Sequence, residues 1–423
     1  MTTTPIAAPV AKGDRIESLD VLRGFGLLGI LLLNILGFGL HSAAYSNPAL
    51  GMSSSADLIV WAAIELGAEG AMRCLFSILF GAGVVLFTST KSASLHFKRN
   101  FWLLGFGLFD AYVLLWSGDI LINYALAGTL LYWVRDVSAR RLMVAAGVFI
   151  VLMSALHGAT HAGLGAAKGY AQIAEQSDAA ATLNADVIDA ARQWQSFSAD
   201  FLPTEQQQAQ ELALRRGSYA SAFWWNMQKT NEVLLFVVPI FLFWDALAMM
   251  LLGMALYKYG VLSGQRSTGF YIKLMLAGFS VGLIVNGFEV QRAIANDFSL
   301  LSTFAQTQVT YHVGRLGMAI GYIGLLVMIV QRGLLHGGRL AAVGRMALTN
   351  YLMHSMVCLF IFTGAGFGLL GEFDRWQLYL FVVAIWVAQL LISPWWLRRY
   401  RFGPLEWLWR GLTYGAWPQN REF

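Results

Sequence analysis

Long apolar runs limit the folds open to this chain more than any other feature of its 423 residues. A helix needs about 20 mostly apolar residues to cross the hydrocarbon core of a bilayer. Runs near this length recur along the whole chain, and they cover residues 19–40, 70–88, 101–116, 120–134, 142–157, 232–257, 270–288, 309–330, 346–363 and 376–397. The pattern predicts an all-α integral membrane protein with about ten transmembrane helices.

The composition supports a membrane fold. Hydrophobic residues make up 57% of the chain and charged residues only 13%, about half the charged share of a typical soluble domain. A soluble protein of this length could not hide so much apolar surface in one core. The 14% of aromatic residues suits the interfacial belts in which amphipathic rings lie at headgroup level.

The basic residues predict the orientation. They cluster after every second apolar run, as with Arg135, Arg140 and Arg141 after the fourth run and Arg398 and Arg399 after the tenth. Cytoplasmic loops carry such an excess of Lys and Arg, so we expect both termini in the cytoplasm. The net charge of +5 comes from these scattered clusters. It is not a continuous basic stripe, so we expect no nucleic-acid partner.

Five segments follow from the runs. We expect a cytoplasmic N-terminal tail (1–18), a first membrane bundle of five helices (19–157), an extracytoplasmic loop or cap (158–231), a second bundle of five helices (232–397) and a cytoplasmic C-terminal tail (398–423). The segment 158–231 holds Gln-rich and Ala-rich stretches of helical character, which favours short amphipathic helices over the membrane surface. A disordered excursion is the alternative.

Cysteine and metal chemistry are not indicated. Cys74 and Cys358 both lie within apolar runs, where we expect buried thiols and no disulfide. His157 and His161 have i, i+4 spacing, but they straddle the end of a run and no third ligand is evident. We therefore expect no metal site.

Charged residues at membrane depth are the first candidates for function, because they usually face a cavity or each other. Asp20 and Arg23 share a helix face at the start of the first run. They could form an ion pair that closes the helix, or Arg23 could line a cytoplasmic pocket for an anionic group. Glu69 and Arg73 are spaced for an ion pair at the start of the second run.

Carboxyl and amide groups occur near the outer half of the membrane. Asp110 lies in the third run, and Asp119 and Asn123 follow at the next helix start. Asp119 could simply be a helix N-cap. The alternative is that these groups form part of a polar site. Asp245 is alone in the sixth run.

Histidines are the natural candidates for proton transfer near neutral pH. His41 follows the first run, His312 shares a face with Arg315, and His354 shares a face with Asn350. Each could be a general base. Each could also be a structural residue, hydrogen-bonded to a neighbouring helix or lying in a loop.

Several motifs resemble the YeiB-like family of bacterial inner-membrane proteins. They are Leu19-Asp20-Val21-Leu22-Arg23-Gly24-Phe25, Leu75-Phe76-Ser77 with Phe80-Gly81-Ala82-Gly83, Gly118-Asp119-Ile120-Leu121, Leu252-Gly253-Met254-Ala255, Gly344-Arg345-Met346-Ala347-Leu348-Thr349-Asn350-Tyr351-Leu352 and Phe402-Gly403-Pro404-Leu405-Glu406-Trp407. The motifs run in order over nearly the whole chain. The resemblance implies a multi-pass protein of the bacterial inner membrane.

The opening helix is also similar to that of transmembrane acyltransferases, a group that includes the lysosomal heparan glucosaminide acetyltransferase. This likeness implies transfer of an acyl group from cytoplasmic acyl-CoA to an acceptor across the membrane, with a histidine as the base. Acyl-CoA would be a co-substrate, and we expect no tightly bound cofactor. The expected partners are the bilayer and a cell-envelope glycan or lipid as acceptor. The sequence sets no oligomeric state.

The acyltransferase hypothesis assigns roles to the polar residues. His41, His312 or His354 would act as the base, and Asp119 would act with it. Substrate binding would fall to Arg23, Asp20, Arg73, Asn123, Arg345, Asn350 and Tyr351. One alternative is a transporter or exporter of a small amphiphile. The sequence shows no inverted repeat and no paired broken helices, and this counts against a transporter. The other alternative is a non-enzymatic membrane scaffold. Whether the chain is an enzyme therefore stays open at this point.

Overall fold

A computed structural model describes residues 16–176, 184–334 and 338–421, so most of the predicted N-terminal tail, including Lys12, lies outside the described residues. Every regular element in the described part is helical. The helices are α1 (Glu17–Gly39), α2 (Ser55–Gly67), α3 (Ala71–Thr88), α4 (Ala93–Tyr112), α5 (Leu121–Leu131), α6 (Ala139–Gln176), α7 (Ala185–Phe201), α8 (Glu205–Gly217), α9 (Tyr219–Glu232), α10 (Phe243–Lys258), α11 (Thr268–Ala295), α12 (Leu300–Thr303), α13 (Tyr311–Gln331), α14 (Arg339–Arg345), α15 (Ala347–Phe362), α16 (Arg375–Leu397) and α17 (Pro404–Tyr414).

Seven helical segments in the described residues are long and apolar enough to cross a membrane. An eighth is formed if α14 and α15 count as one span that bends by 86° between them. The predicted all-helical membrane fold is confirmed. The count of ten and the cytoplasmic position of the termini stay predictions. The third and fourth predicted runs fall in α4, which also carries charged residues in its first turns, and in the short α5.

The apolar exterior identifies the surfaces that face lipid. Large hydrophobic side chains point outward along α6, α11 and α16, for example Val151 at 67% exposed, Ile284 at 72% and Leu380 at 60%. A continuous apolar surface of this extent would be unstable in water. In a bilayer it needs no covering, so these three helices form the outer wall of the bundle.

Helix α1 lies at the centre of the bundle, and glycines allow its neighbours to approach. A Cβ atom on Gly24 would collide with the carbonyl of Leu340 in α14, and one on Gly344 would collide with the carbonyl of Asp20. The same holds where α3 crosses α10 at Gly81 and Gly253. Small residues at such crossings allow close backbone packing between membrane helices, and these four glycines lie in the motifs that carry the family resemblance.

One segment departs from regular α-helical geometry, and one helix start is capped by a side chain from another helix. Residues Val233–Leu242, which join α9 to α10, form a wide π-helical segment that contains Pro239. Proline lacks the N–H needed for an α-helical hydrogen bond, so a local widening at this position is expected. At the start of α15, the Glu406 carboxylate of α17 accepts hydrogen bonds from the N–H groups of Leu348 (2.6 Å) and Thr349 (3.1 Å). Glu406 therefore satisfies donors that the helix itself leaves unpaired.

The predicted outer segment is largely helical where it is described. Helix α6 does not end near His157 but continues to Gln176, and α7, α8 and α9 follow after residues 177–183, which lie outside the described residues. Helix α8 covers the end of α1. The Glu211 carboxylate accepts from Ser42 N–H at 2.7 Å, and Arg215 donates to the carbonyls of Leu40 and Gly37. The proposed boundaries of the five segments stay predictions.

Candidate functional site

A polar cavity of about 130 Å³ lies at the end of the bundle where α1 ends and where α3, α10, α13 and α16 begin. If α1 enters the membrane from the cytoplasm, this end is the extracytoplasmic one. The cavity can hold several water molecules or a small chemical group. Its polar lining consists of Tyr45, Glu65, Glu69, Arg73, His157, Asp245, Tyr311, His312, Arg375 and Tyr379, together with loop residues.

Asp245 is the electrostatic centre of one wall. Arg315, which is 1% exposed, donates from Nη1 to Asp245 Oδ2 at 2.8 Å and from Nη2 to Asp245 Oδ1. Arg73 Nη2 lies 3.7 Å from the same carboxylate. A buried ion pair of this kind is retained only when each charge has close partners, since removal of one leaves the other uncompensated. The pairing joins α10, α13 and α3 across the cavity.

Tyr311 extends this network to a second carboxylate. Its hydroxyl accepts a hydrogen bond from Arg73 Nη2 at 3.1 Å and donates one to Glu69 Oε1 at 3.1 Å. Glu69 and Arg73 are thus linked through tyrosine and not by the direct i, i+4 ion pair that the sequence suggests. The arrangement holds the Arg73 guanidinium between Asp245 and Tyr311, at the cavity surface.

The two histidines of the cavity have opposite hydrogen-bonding roles. Arg315 Nη2 donates to His312 Nδ1 at 2.7 Å, so the proton of neutral His312 is on Nε2, which has no partner in the described residues. His157 Nδ1 lies 3.2 Å from the carbonyl oxygen of Gln308. A carbonyl only accepts, so the proton of His157 is on Nδ1 and Nε2 keeps its lone pair. The ring centroids are 4.6 Å apart.

Two of the predicted site residues, Arg73 and His312, line this cavity. The remaining ones lie in other places. His354 and Asn350 belong to a network between α15 and α16, in which His354 Nε2 lies 3.0 Å from Gln389 Oε1 and Asn350 Nδ2 donates to Ser393 Oγ at 3.1 Å. His354 Nδ1 has no partner in the described residues. Both residues are almost completely buried, so this network is positioned to hold two helices together.

Asp119, Asn123 and Tyr351 form a third group. Asp119 Oδ2 accepts from the Ile122 N–H at 2.9 Å, and Asp119 Oδ1 accepts from the Tyr351 hydroxyl at 3.3 Å. The first bond is that of a helix cap. Asn123 donates to the carbonyl of Leu242 at 2.9 Å. Asp110 is completely buried near Asp119, and none of these side chains lines the polar cavity.

Three candidates, two arginines and one aspartate, lie at the opposite end of the bundle and do not line the cavity. Arg23 pairs with Asp20 at 3.0 Å at the start of α1, with side chains 29% and 17% exposed. Arg345 ends α14, beside the close crossing of Gly24 and Gly344. Arg23, Asp119 and Asn350 therefore do not meet in one cavity.

His41 lies just beyond the end of α1, where it precedes a short turn beneath α8. Burial lowers the pKa of His41 below its usual value. The neighbouring Glu211 acts in the opposite direction, and Arg215 lowers the pKa further. The histidine is thus held neutral near pH 7 in the contact between α1 and the outer helices.

The cavity and its wall contain residues to which the acyltransferase hypothesis assigned no role. His157, Asp245 and Tyr311 line the cavity, and Arg315 pairs with Asp245; together they come from three separate helices. Asp245 and Arg315 were each visible as charges inside apolar runs, which was the available signal, but their pairing depends on a contact across 70 residues. His157 was placed at a helix end because hydropathy falls there, whereas α6 continues without a break.

The cavity offers the lone pair of His157, the guanidinium of Arg73 and fixed charges, which suits binding and proton transfer at a small polar group. In the described residues, no group of three or more His, Cys, Asp or Glu side chains could hold a metal ion. Cys74 and Cys358 are buried free thiols. These features define a multi-pass membrane protein with a buried polar site near one face of the bilayer.

The comparisons with known proteins agree with that class. Residues 256–416 match a family model described as a protein of unknown function (DUF418). The uncharacterized protein YeiB of Escherichia coli is 32% identical over 95% of this chain and 97% of its own length. The uncharacterized protein YxaH of Bacillus subtilis is 28% identical over 97% of this chain and 96% of its own length. No solved structure matches the chain. The chain therefore belongs to the YeiB-like family, which confirms the resemblance found in its motifs.

Proposed function

We propose that this protein is a membrane-embedded acyltransferase, in which the polar cavity binds the acceptor and His157 acts as the base. The observation that carries the proposal is the hydrogen bond from His157 Nδ1–H to the Gln308 carbonyl. This bond fixes the tautomer of His157, so Nε2 carries the lone pair. His157 is buried and lines the polar cavity. A backbone carbonyl at one ring nitrogen is a common way to orient a basic imidazole.

The residues around His157 suit the steps of acyl transfer. An acceptor hydroxyl attacks the thioester carbonyl carbon of the donor, and its proton passes to His157 Nε2. The new tetrahedral oxyanion accepts a hydrogen bond from the Arg73 guanidinium, which Tyr311 and Asp245 hold at the cavity surface. Fixed donors at a developing negative charge contribute strongly to catalysis. The carbon–sulfur bond then breaks, the proton returns from His157 to the thiolate, and the products are an ester and free CoA.

The size of the cavity limits what it binds. A space of about 130 Å³ is far too small for a complete CoA molecule, so only the reacting end of the donor would enter it. We propose cytoplasmic acyl-CoA as the co-substrate, with no tightly bound cofactor, and a cell-envelope glycan or lipid as the acceptor. These roles go with a position in the bacterial inner membrane and with both termini in the cytoplasm.

The test is acyl transfer by the purified protein in lipid nanodiscs. Acyl-CoA and an envelope extract are added together, because both faces of a nanodisc meet the same solution, and released CoA is measured with a thiol reagent. We expect release in the wild type and a fall of about 100-fold or more in His157→Gln, the loss typical of a general base. His161→Gln is the control, because His161 lies one turn further along α6 and does not line the cavity.

Absence of CoA release in the wild type with every envelope fraction would contradict the proposal. Equal turnover in His157→Gln and His161→Gln would contradict the role of His157. Both variants must be compared per amount of folded protein, measured by size-exclusion chromatography in the same detergent.

Transport of a small amphiphile is the second candidate, and one observation favours it. The 86° bend between α14 and α15 is the kind of broken helix that often lines the substrate site of a transporter. However, neither helix contributes to the polar cavity, so the bend and the cavity do not form one site. Counterflow of an extracted ligand in proteoliposomes, without covalent change, would favour transport over transfer.

A further inference from the structure

A second cavity, almost entirely apolar, adjoins the polar one. It has a volume of about 260 Å³ and is lined by α1, α2, α3, α13 and α16. Its walls include Phe25, Leu28, Leu32, Ile64, Met72 and Trp386. Water gains no hydrogen-bonding partners in such a space, so the cavity suits an apolar occupant.

The few polar atoms of this wall are already used. The Tyr322 hydroxyl donates to the carbonyl of Gly67 at 2.9 Å, and Trp386 Nε1 donates to the carbonyl of Leu28 at 3.0 Å. Both bonds join neighbouring helices and direct the polar end of the side chain into the protein backbone. A molecule in this cavity would therefore meet only hydrocarbon and ring surfaces. A polar headgroup or a sugar would find no hydrogen-bonding partner there, so we exclude both as the occupant.

The apolar cavity adjoins the polar one. Ile64 lines both, and on α1 the adjacent residues Leu32 and Leu33 line the apolar and the polar cavity respectively. On α13, Tyr311 belongs to the polar cavity and Tyr322 to the apolar one, a separation of about 16 Å at ~1.5 Å rise per residue. On α1 and α13 the apolar cavity thus reaches further toward the middle of the membrane. On α2 and α3 the residues that line the two cavities alternate, so the cavities lie side by side and meet at Ile64.

The apolar cavity also has an opening. Ala63 contributes to its wall and is itself exposed on the outside of α2. Gly67 and Ala68, a turn further along the chain, add little side-chain bulk to this wall. The small residues of this stretch therefore form the mouth, while bulky residues such as Phe25 and Trp386 form the other walls. The mouth faces the hydrocarbon region of the bilayer.

We propose that the apolar cavity binds the hydrocarbon chain of the acyl group that is transferred, so that the donor is a fatty acyl thioester and not acetyl-CoA. A chain in this cavity would have its carboxyl end at the polar cavity, where His157 and His312 lie. Because a cavity of ~150 Å³ accommodates the six carbons of benzene, this one takes a chain of about ten carbons. The identity of the occupant as the donor's acyl chain rests on the proposed function. The binding of a straight hydrocarbon chain does not.

The experiment uses decanoyl-CoA with a diazirine at the end of the chain, added to the full-length protein in nanodiscs and activated by light. Cross-linked peptides are mapped by mass spectrometry. We expect labelling of α1, α2, α13 or α16 at residues of the apolar cavity. Ala63→Phe, which places a ring in the mouth, lowers this labelling by about fivefold or more, equivalent to roughly 1 kcal/mol. Ile59→Phe is the matched control, because Ile59 is 67% exposed on the same helix and does not line the cavity.

Equal labelling in Ala63→Phe and Ile59→Phe would overturn the proposal, and so would labels confined to the outer surface of α6 or α11. Excess unlabelled decanoyl-CoA must compete with the probe, whereas excess phosphatidylcholine must not. Competition by the phospholipid would identify the occupant as a bilayer lipid and also overturn it. Labelling measures binding alone, so a protein that is labelled as expected but releases no CoA contradicts the acyltransferase and leaves the hydrocarbon site intact.

Discussion

Two buried groups of polar residues, each with a histidine, differ in whether they line a cavity. In the network of α15 and α16, His354, Gln389, Asn350 and Ser393 bond to one another, and none of their side chains lines the polar cavity. Each group has one histidine nitrogen without a partner in the described part of the chain, Nδ1 of His354 and Nε2 of His312, but only the polar cavity has His157, with its defined lone pair, at a space that can hold a substrate. An unpaired nitrogen on a buried histidine is therefore a poor guide to function, whereas a place at a cavity is a better one.

The largest expected effect is on the cavity wall. Asp245→Ala removes the only carboxylate that Arg315 contacts in the described residues, so a buried guanidinium is left uncompensated. We expect a loss of about 3–5 kcal/mol in the free energy of unfolding. Thermal unfolding in detergent, followed by intrinsic fluorescence, measures it.

Asp20→Ala is the matched control for Asp245→Ala. It removes the carboxylate of the more exposed pair with Arg23, which is worth no more than about 1 kcal/mol. If Asp20→Ala lowered the free energy of unfolding as much as Asp245→Ala, burial of the ion pair would have no influence on its contribution to stability. The two ends of the bundle would then not differ in this respect.

The network of α15 and α16 gives an intermediate effect. Gln389→Leu leaves His354 Nε2–H and the Asn350 carbonyl without their side-chain partner, which we expect to lower the free energy of unfolding by about 1–3 kcal/mol. The double variant His354→Leu with Gln389→Leu should recover part of this loss, because no donor is then left unpaired. Binding of the photoreactive decanoyl-CoA should be unchanged per folded molecule in both. A change in binding would connect the two groups that we describe as independent.

The smallest effect concerns His41, at the contact between α1 and the outer helices. Because burial lowers its pKa in the folded protein, the unfolded chain binds the proton first as the pH falls. Stability is then complete above the unfolded pKa of about 6.5 and decreases as the pH falls below it. Between pH 7 and pH 5, His41→Gln should show a smaller decrease in the midpoint of thermal unfolding than the wild type. An identical decrease would mean that His41 is not buried as described.

The membrane fold could be predicted from the sequence because hydropathy and helix length are local properties. Helices α1, α13 and α16 coincide closely with predicted runs. Helix α6 does not, because its residues beyond His157 are polar or small enough to end the hydropathy signal while still favouring a helix. Hydropathy therefore locates the part of a helix that lies in lipid and not the full helix.

The candidate site was predictable only in part. Arg73 and His312 were recognised as unusual membrane residues, and both lie in the cavity. Asp245 and Arg315 were visible too, but no rule of spacing along a helix joins residues on α10 and α13. His157 was dismissed for its position at the end of a hydropathy run. The glycines that let α3 cross α10 stand in motifs of the family resemblance, but nothing along the sequence assigns Gly81 and Gly253 to one crossing.

The most direct test compares the two histidines that the structure separates. CoA release is measured at saturating acyl-CoA for His157→Gln and His354→Gln, each normalised to folded protein. The account predicts that His157→Gln loses about 100-fold or more while His354→Gln stays within about threefold of the wild type, since the His354 imidazole bonds to Gln389 in the network of α15 and α16 and does not line the polar cavity. A loss of turnover in His354→Gln with normal turnover in His157→Gln would contradict the assignment of the polar cavity as the reactive site.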